Sequence, residues 1–277
     1  DTAGESALLA AGYGPLLARV LACRGIAQPQ AAAALLEEEP PLSDPFLLKD
    51  MDKAVARIQQ AIENGETIVI FGDYDVDGVS ATDILYECLT NLGAQVRCKL
   101  PTREGGGYGL NRETLQKLAD KGYKLIVTVD NGISAIEEAD LAAELGIELV
   151  ITDHHLPGGE LPAAEAIVNP NQPGCSFASK AMAGVGVMFY VLLQLRAELR
   201  ARGHFDTQTQ PRLEPLLPLV ALGTVADVVR LDANNRRLVA QGLKRIRAAQ
   251  QPAGMAALFQ VAGRRFDSAS TFDLGFT

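Results

Sequence analysis

The sequence predicts an α/β protein: a parallel sheet flanked by helices, with an N-terminal helical segment before it and a C-terminal helical region after it. Three observations predict this. Short runs rich in β-branched residues alternate with segments whose apolar residues recur at helical spacing. The runs themselves, such as Thr67–Gly72 (TIVIFG), are apolar throughout, as in strands covered on both faces. A chain of 277 residues, 48% of them hydrophobic, also has a sizeable core available. At that length about 75% of the unfolded surface is buried.

The elements follow in order. Residues 1–55 are rich in Ala, Leu and Glu and read as short helices, with a proline-containing break (EPPLSDP) ending at Pro45. Lys53–Asn64 carries Val55, Ile58 and Ile62 at helical spacing. The Thr67–Gly72 strand leads into a helix over Gly78–Leu92 and a strand over Gln95–Leu100. Asn111 is a suitable cap for a helix running to Lys121. Lys124–Asp130 (KLIVTVD) is a strand. Ser134–Gly146 is a helix with Ser134 and Glu137 as a capping box and Gly146 as its stop. Glu148–Thr152 and Ala166–Val168 are further strands, and Gly184–Arg202, Glu214–Val225 and Asn235–Ala249 are helices. Arg264–Thr277 shows no clear closure. This divides the chain into a helical segment (1–55), an α/β domain (56–232) and a basic helical segment (233–277).

Composition excludes several classes. Charged residues at 21% and a mean hydropathy of +0.09 argue against a disordered or fibrous chain. No run approaches 18 uninterrupted apolar residues, so no membrane partner is expected, and the first 26 residues lack the order of a signal peptide. The absent initiator Met implies a processed or trimmed N-terminus. Cys23, Cys88, Cys98 and Cys175 are scattered without a zinc or redox spacing, which points to a cytoplasmic setting.

The chemistry-bearing residues gather at the carboxyl ends of predicted strands, where open parallel sheets bind ligands. After the first strand comes Asp73-Tyr74-Asp75-Val76-Asp77-Gly78, three carboxylates in five residues. They repel one another unless cations neutralise them, and hard divalent ions prefer oxygen ligands. The same text also reads as an acidic turn capping a helix. An EF-hand loop is excluded, because position 84 is Ile where its glutamate would stand. Asp130-Asn131-Gly132 ends another strand, and Asp153-His154-His155 ends the next, with two of the chain's three histidines adjacent. Asp227 follows the apolar run LVALGTVA. Carboxylates and imidazole without thiolate favour Mn²⁺ or Mg²⁺, and so many donors suit two ions about 3.5–4 Å apart that clamp a phosphoryl group. Elsewhere, Arg103 precedes a loop with Gly107 and Tyr108, which reads either as a flexible loop or as a phosphate and base contact. The net charge of −9 conceals a stretch from Ala233 to Phe266 with seven basic residues and no acidic one. It reads as a solvated face or as a track for a phosphate backbone.

Taken together, Asp73–Asp77, Asp130-Asn131-Gly132, Asp153-His154-His155 and Asp227 resemble the motifs of the DHH phosphoesterases. The stretches GDYDVDG, GYGLN, TVDNGIS, TDHHLPG, AGVGV and LGTVADVV resemble the RecJ-type exonuclease branch of that family, from about Leu16 to Thr277. The resemblance implies a 5′→3′ exonuclease on single-stranded DNA using two Mn²⁺ or Mg²⁺ ions in DNA repair and recombination. It places Asp75, Asp77, Asp130, His154 and Asp227 on the metals, with Asp130 bridging and Asp73 a ligand or its support. It sets His155 beside the scissile phosphate, with Asp153 orienting a neighbouring His and Asn131 supporting the site. It tips Arg103, Gly107 and Tyr108 toward the strand's 5′ end. Repair or single-strand-binding proteins are the implied partners, and a second, cleft-closing domain is expected beyond these residues. Two rivals stay open: a DHH phosphodiesterase for short oligonucleotides or cyclic dinucleotides, or a pyrophosphatase, and a non-catalytic nucleic-acid-binding scaffold. On this reading Arg103→Ala weakens binding of a 5′-phosphorylated strand more than internal binding; equal loss on both would remove the 5′-end role.

Overall fold

The computed structural model describes residues 2–36, 44–101 and 109–276. Most of the proline break (37–43) lies outside these residues, as do Arg103, Gly107 and Tyr108. The chain forms two compact units, Asp1–Leu42 and Ser43–Thr277. In the first, α1 (Thr2–Ala10), α2 (Pro15–Cys23) and α3 (Pro29–Leu36) close over Leu8, Ala18, Leu21 and Ala32.

The second unit begins with α4 (Met51–Glu63), β1 (Thr67–Phe71), α5 (Val76–Asn91), β2 (Gln95–Lys99) and α6 (Arg112–Asp120). It continues through β3 (Leu125–Val129), α7 (Ile136–Glu144), β4 (Glu148–Thr152) and β5 (Ala166–Val168). The helices α8 (Gly184–Ala201), α9 (Leu217–Ala226), α10 (Ala233–Arg247), α11 (Ala253–Val261) and α12 (Thr271–Phe276) follow. The five strands form one parallel sheet in the order β2-β1-β3-β4-β5. The chain leaves β1 toward one edge and returns past it to β3, so the topological switch point lies between β1 and β3. That is where ligands enter sheets of this kind.

Successive strand residues point to opposite faces, and the two cores divide accordingly. Ile68 and Ile70 pack under α4, α5 and α8, while Val69 and Phe71 pack under α6 and α7. Burial on both faces explains why the strand runs are apolar throughout. Asn111 caps α6 by accepting the Thr114 N–H at 2.9 Å.

The capping box expected at Ser134 and Glu137 does not form. α7 starts at Ile136 behind Ala135, and no side chain caps it. The reason lies in the preceding turn: the Ile133 N–H donates to Asp153 Oδ2 at 2.9 Å, and Gly132, at φ +109°, bends the chain toward that carboxylate. The turn serves Asp153, and the helix begins after it. Helix α11 had no sequence signal, because AGMAALFQV is almost uniformly small and apolar and shows no period. It reaches the core through Met255 and Phe259. The C-terminal stretch closes with α12, where Leu274 is buried. Arg247 Nε donates to the Ala269 carbonyl at 2.8 Å, Arg264 pairs with Asp273 at 3.5 Å, and Arg265 pairs with Asp267. Part of the basic stretch therefore ties this region together. Among the described residues, no helix is long and apolar enough to cross a membrane.

Arg57 links elements distant in sequence. It is 6% exposed, and its Nε and Nη2 donate to Glu148 Oε2 and Glu66 Oε2, each at 2.7 Å, joining α4 to the beginnings of β1 and β4. Both glutamates keep access to water, so losing the arginine costs less than breaking a fully buried pair. Arg57→Met is expected to lower unfolding free energy by about 2 kcal/mol, read as a lower urea midpoint at unchanged slope. A midpoint equal to the parent's would assign the link no stabilising role.

Candidate metal centre

Each strand of the switch point delivers donors to one edge. Beyond β1, Asp73 is buried and accepts the Tyr74 N–H at 2.6 Å. Asp75 is exposed and caps α5 by accepting the Gly78 N–H at 2.9 Å. The helix-cap reading and the metal reading of this acid are thus compatible, since a carboxylate has further lone pairs. Asp77, in the first turn of α5, accepts the N–H groups of Gly184 and Val185 at 2.6 and 2.9 Å. Those amides are the N-terminus of α8, whose positive dipole end favours a carboxylate.

Beyond β3, Asp130 takes a left-handed backbone at φ +63°, a conformation Asp tolerates better than most residues. Asn131 donates through Nδ2 to the carbonyls of Phe71 and Val129 at 3.1 and 2.9 Å, clamping the ends of β1 and β3 together. Beyond β4, Asp153 gathers the turn around itself. Its Oδ1 lies 2.8 Å from His155 Nδ1 and accepts the N–H groups of His154 and His155. Asp227 caps the C-terminal end of α9, where the negative dipole end disfavours a carboxylate unless a cation compensates.

His154 stands at the centre. Its Nε2 lies 3.0 Å from Asp130 Oδ1, 3.5 Å from Asp227 Oδ2 and 3.8 Å from Asp77 Oδ2. Yet neither His154 Nε2 nor Asp227 Oδ2, both buried, makes a hydrogen bond to any described residue. Donor atoms about 3 Å apart are the edges of an octahedron whose centre is about 2.1 Å from each. Three sets of donors lie within 4.8 Å of one another: Asp130, His154 and His155; Asp77, His154 and Asp227; and Asp73, Asp75 and Asp130. The donor set is hard, oxygen-rich and free of thiolate, and it fits Mn²⁺ or Mg²⁺.

Electrostatics point the same way. Burial, then the charges of Asp75 and Asp153, push Asp130 up to about 9. Burial, then the Asp130 charge, raises Asp77 well above the usual carboxylate range, and burial raises Asp227. Such a cluster favours any added positive charge. Asp153 goes the other way: burial alone would raise it, but hydrogen bonds from the His155 ring and the Ile133 N–H hold it low. Its hydrogen bond in turn raises His155 to about 9.

Three glycines make room for this crowding: a Cβ at Gly78 would sit 2.5 Å from Asp73 Cβ. A Cβ at Gly184 would sit 2.7 Å from Asp130 Cβ and Oδ1, and one at Gly223 would sit 2.8 Å from Asp77 Oδ1. Sequence reasoning missed Asn169 and Asn171, just beyond β5. Asn169 Nδ2 donates to the His155 carbonyl at 2.9 Å and Asn171 Nδ2 to the His154 carbonyl at 2.6 Å, fixing the backbone of the histidine pair. They stand at a strand's carboxyl end, and the rule that singled out the other strand ends would have found them.

A parallel α/β fold with carboxylates and imidazole converging at its switch point defines a class of protein suited to hold divalent cations there. The family follows from comparison with known proteins. The sequence model of the DHH family, N-terminal domain, matches residues 67–224, and the chain belongs to the DHH family. It is 48% identical over 264 residues to the single-stranded-DNA-specific exonuclease RecJ of Dickeya dadantii (strain 3937), covering 94% of this chain and 45% of that protein. It is 45% identical over 275 residues to the RecJ of Escherichia coli K12, covering 98% of this chain and 47% of that protein. Two crystal structures of RecJ from Thermus thermophilus match over 99% of this chain. The Mn²⁺ complex gives a TM-score of 0.78 at 30% identity over 37% of its chain, and the Mg²⁺ complex 0.66 at 27% over 34%. The chain spans about half the length of the curated relatives it matches.

Gly184→Ala tests the crowding. The added methyl displaces the Asp130 carboxylate and is expected to weaken Mn²⁺ binding at least about tenfold, measured by calorimetry, with the circular dichroism spectrum retained. Unchanged affinity would show that Asp130 does not need this geometry.

Proposed function

We propose that this chain is the catalytic core of a metal-dependent 5′→3′ exonuclease that hydrolyses single-stranded DNA with two Mn²⁺ or Mg²⁺ ions. The observation that carries the reading is the convergence of Asp77, Asp130 and Asp227 on His154 Nε2, within 3.0–3.8 Å. The names of the relatives supply the substrate class, a single DNA strand. The setting is DNA repair and recombination in the cytoplasm. Residues 56–232 carry the chemistry, and the basic helical segment 233–277 follows them.

Asp75, Asp77, Asp130, His154 and Asp227 hold the ions. Asp130 and His154 each belong to two of the three donor sets; of these, the carboxylate with its two oxygens is the one that would bridge the ions, and Asp73 would complete or support one set. When bound, the ions supply positive charge to the phosphoryl oxygens and make water a better nucleophile. The chain's own residues do the rest. Asp153 occupies His155 Nδ1, which leaves Nε2 for the substrate; the ring is half exposed and the strand can reach it. The half-exposed ring then offers Nε2 as a hydrogen-bond donor to a phosphoryl oxygen, where negative charge develops. In the reaction a water oxygen bonds to phosphorus and the bond to the 3′ oxygen of the terminal nucleotide breaks. That oxygen takes up a proton, and one nucleotide leaves from the 5′ end. Outside the described residues, Arg103, Gly107 and Tyr108 receive that end.

The test uses this chain, Mn²⁺ and long single-stranded DNA labelled at either end, with a chelator control and a duplex of equal length. Chelator-sensitive release of mononucleotides from the 5′ end, with the duplex spared, is the expected result. Asp130→Ala should lower the rate by about a thousandfold or more while the fold persists. Turnover of dinucleotides or pyrophosphate in place of the strand would overturn the assignment, and full activity of Asp130→Ala would overturn the bridging role.

A further inference from the structure

Two apolar side chains next in sequence to the candidate metal ligands stand almost wholly in water. Leu156 directly follows His155 and is 78% exposed; Val228 directly follows Asp227 and is 86% exposed. Of the large apolar side chains described in Ser43–Thr277, only Val261 is more exposed than these two. Val76, between Asp75 and Asp77, is 45% exposed. Consecutive Cα atoms are about 3.8 Å apart, so each of these residues stands at the rim of the donor cluster.

Val228 carries a second, independent anomaly. Its φ is +59°, the left-handed region that β-branched residues rarely adopt. It occupies the position just past the C-terminal cap of α9, where helices commonly place glycine. A glycine there would remove the strain, and the valine side chain, in water, gains no packing to offset it. The strained, exposed valine directly follows Asp227 in the chain, next to the donor cluster.

We propose that Leu156, Val228 and Val76 form an apolar rim that grips the unpaired nucleosides on either side of the scissile phosphate. The inference rests on the proposed function and deepens it by assigning the residues that recognise an unpaired strand. A phosphodiester held by ions at Asp130 and His154 brings its two flanking nucleosides within reach of the residues next to those ligands. Cations meet the phosphate, and apolar side chains meet the uncharged bases and sugars. Aliphatic contacts carry no hydrogen-bond code, so the rim tolerates every base. In a duplex the base faces are stacked and unavailable, and the rim then has nothing to bury.

The test measures binding, which survives any loss of turnover. A fluorescent oligothymidylate with phosphorothioate linkages is titrated with this chain in Mn²⁺, alongside an abasic sugar-phosphate strand of equal length. Leu156→Ser and Val228→Gly are each expected to weaken oligothymidylate binding about fivefold and to leave abasic binding and Mn²⁺ affinity unchanged. Val228→Gly should also melt no lower than the parent, since it relieves backbone strain. Unchanged affinity for the base-bearing strand, or equal losses on both strands, would overturn the rim. Reduced Mn²⁺ affinity in Val228→Gly would overturn it too, by making Val228 a support for Asp227. Self-association abolished by both variants with strand binding intact would assign the surface to a second copy of this chain. Tight strand binding without cleavage would overturn the hydrolase reading alone, and no strand binding by the parent would overturn both.

Discussion

Like charges held out of water organise this protein. Asp73, Asp77 and Asp130 are buried, and Asp75 and Asp227 lie against them. Carboxylates in such a setting become hard to ionise, as the upward displacement of Asp130 and Asp77 shows. The surroundings answer in several ways. The N-terminus of α8 is turned onto Asp77, glycines at 184 and 223 let helices approach the acids, and Asp130 takes a left-handed backbone to aim its side chain. These features stabilise the cluster only in part. Divalent cations, which this hard donor set fits, would complete the neutralisation at the carboxyl ends of the strands.

The sheet provides the rigidity. Ligands borne on strand ends are positioned by the whole hydrogen-bond ladder, and here the two central ends are also clamped by Asn131. The histidine pair is held twice over. Asp153 collects its amides and one ring nitrogen from below, while Asn169 and Asn171 fix its carbonyls from the end of β5. A single hydrogen bond from His155 Nδ1 to Asp153 Oδ1 thus fixes the ring and leaves Nε2 as its free nitrogen. The same carboxylate bends the turn before α7, so the helix starts late because the site requires it.

The fold was legible because its signals are redundant. Strands buried on both faces read as unbroken apolar runs, and their alternation with helical periods left little choice of topology. What escaped was local. Ser134 and Glu137 had the right spacing for a capping box, but a contact 20 residues away in sequence, from Asp153 to the Ile133 N–H, decided the turn. α11 escaped because a small, uniformly apolar segment has no period to read. Most of the donors could be found from strand ends, and Asp227 from the apolar helix before it, since Asp, Asn and His stand out after apolar runs. The amides of Gly184 and Val185 could not, because a backbone N–H is the same in every residue and only the tertiary fold brings it to Asp77. The strain at Val228 was equally invisible, for no composition or pattern reports a backbone angle.

The central claim is that these acids and His154 hold a pair of divalent ions bridged by Asp130. Electron paramagnetic resonance during a Mn²⁺ titration of this chain tests it most directly. Two ions bound per chain with a spin-coupled spectrum are expected, with loss of the coupling in Asp130→Asn. A single uncoupled ion at saturation, or a coupled pair that persists in Asp130→Asn, would contradict it.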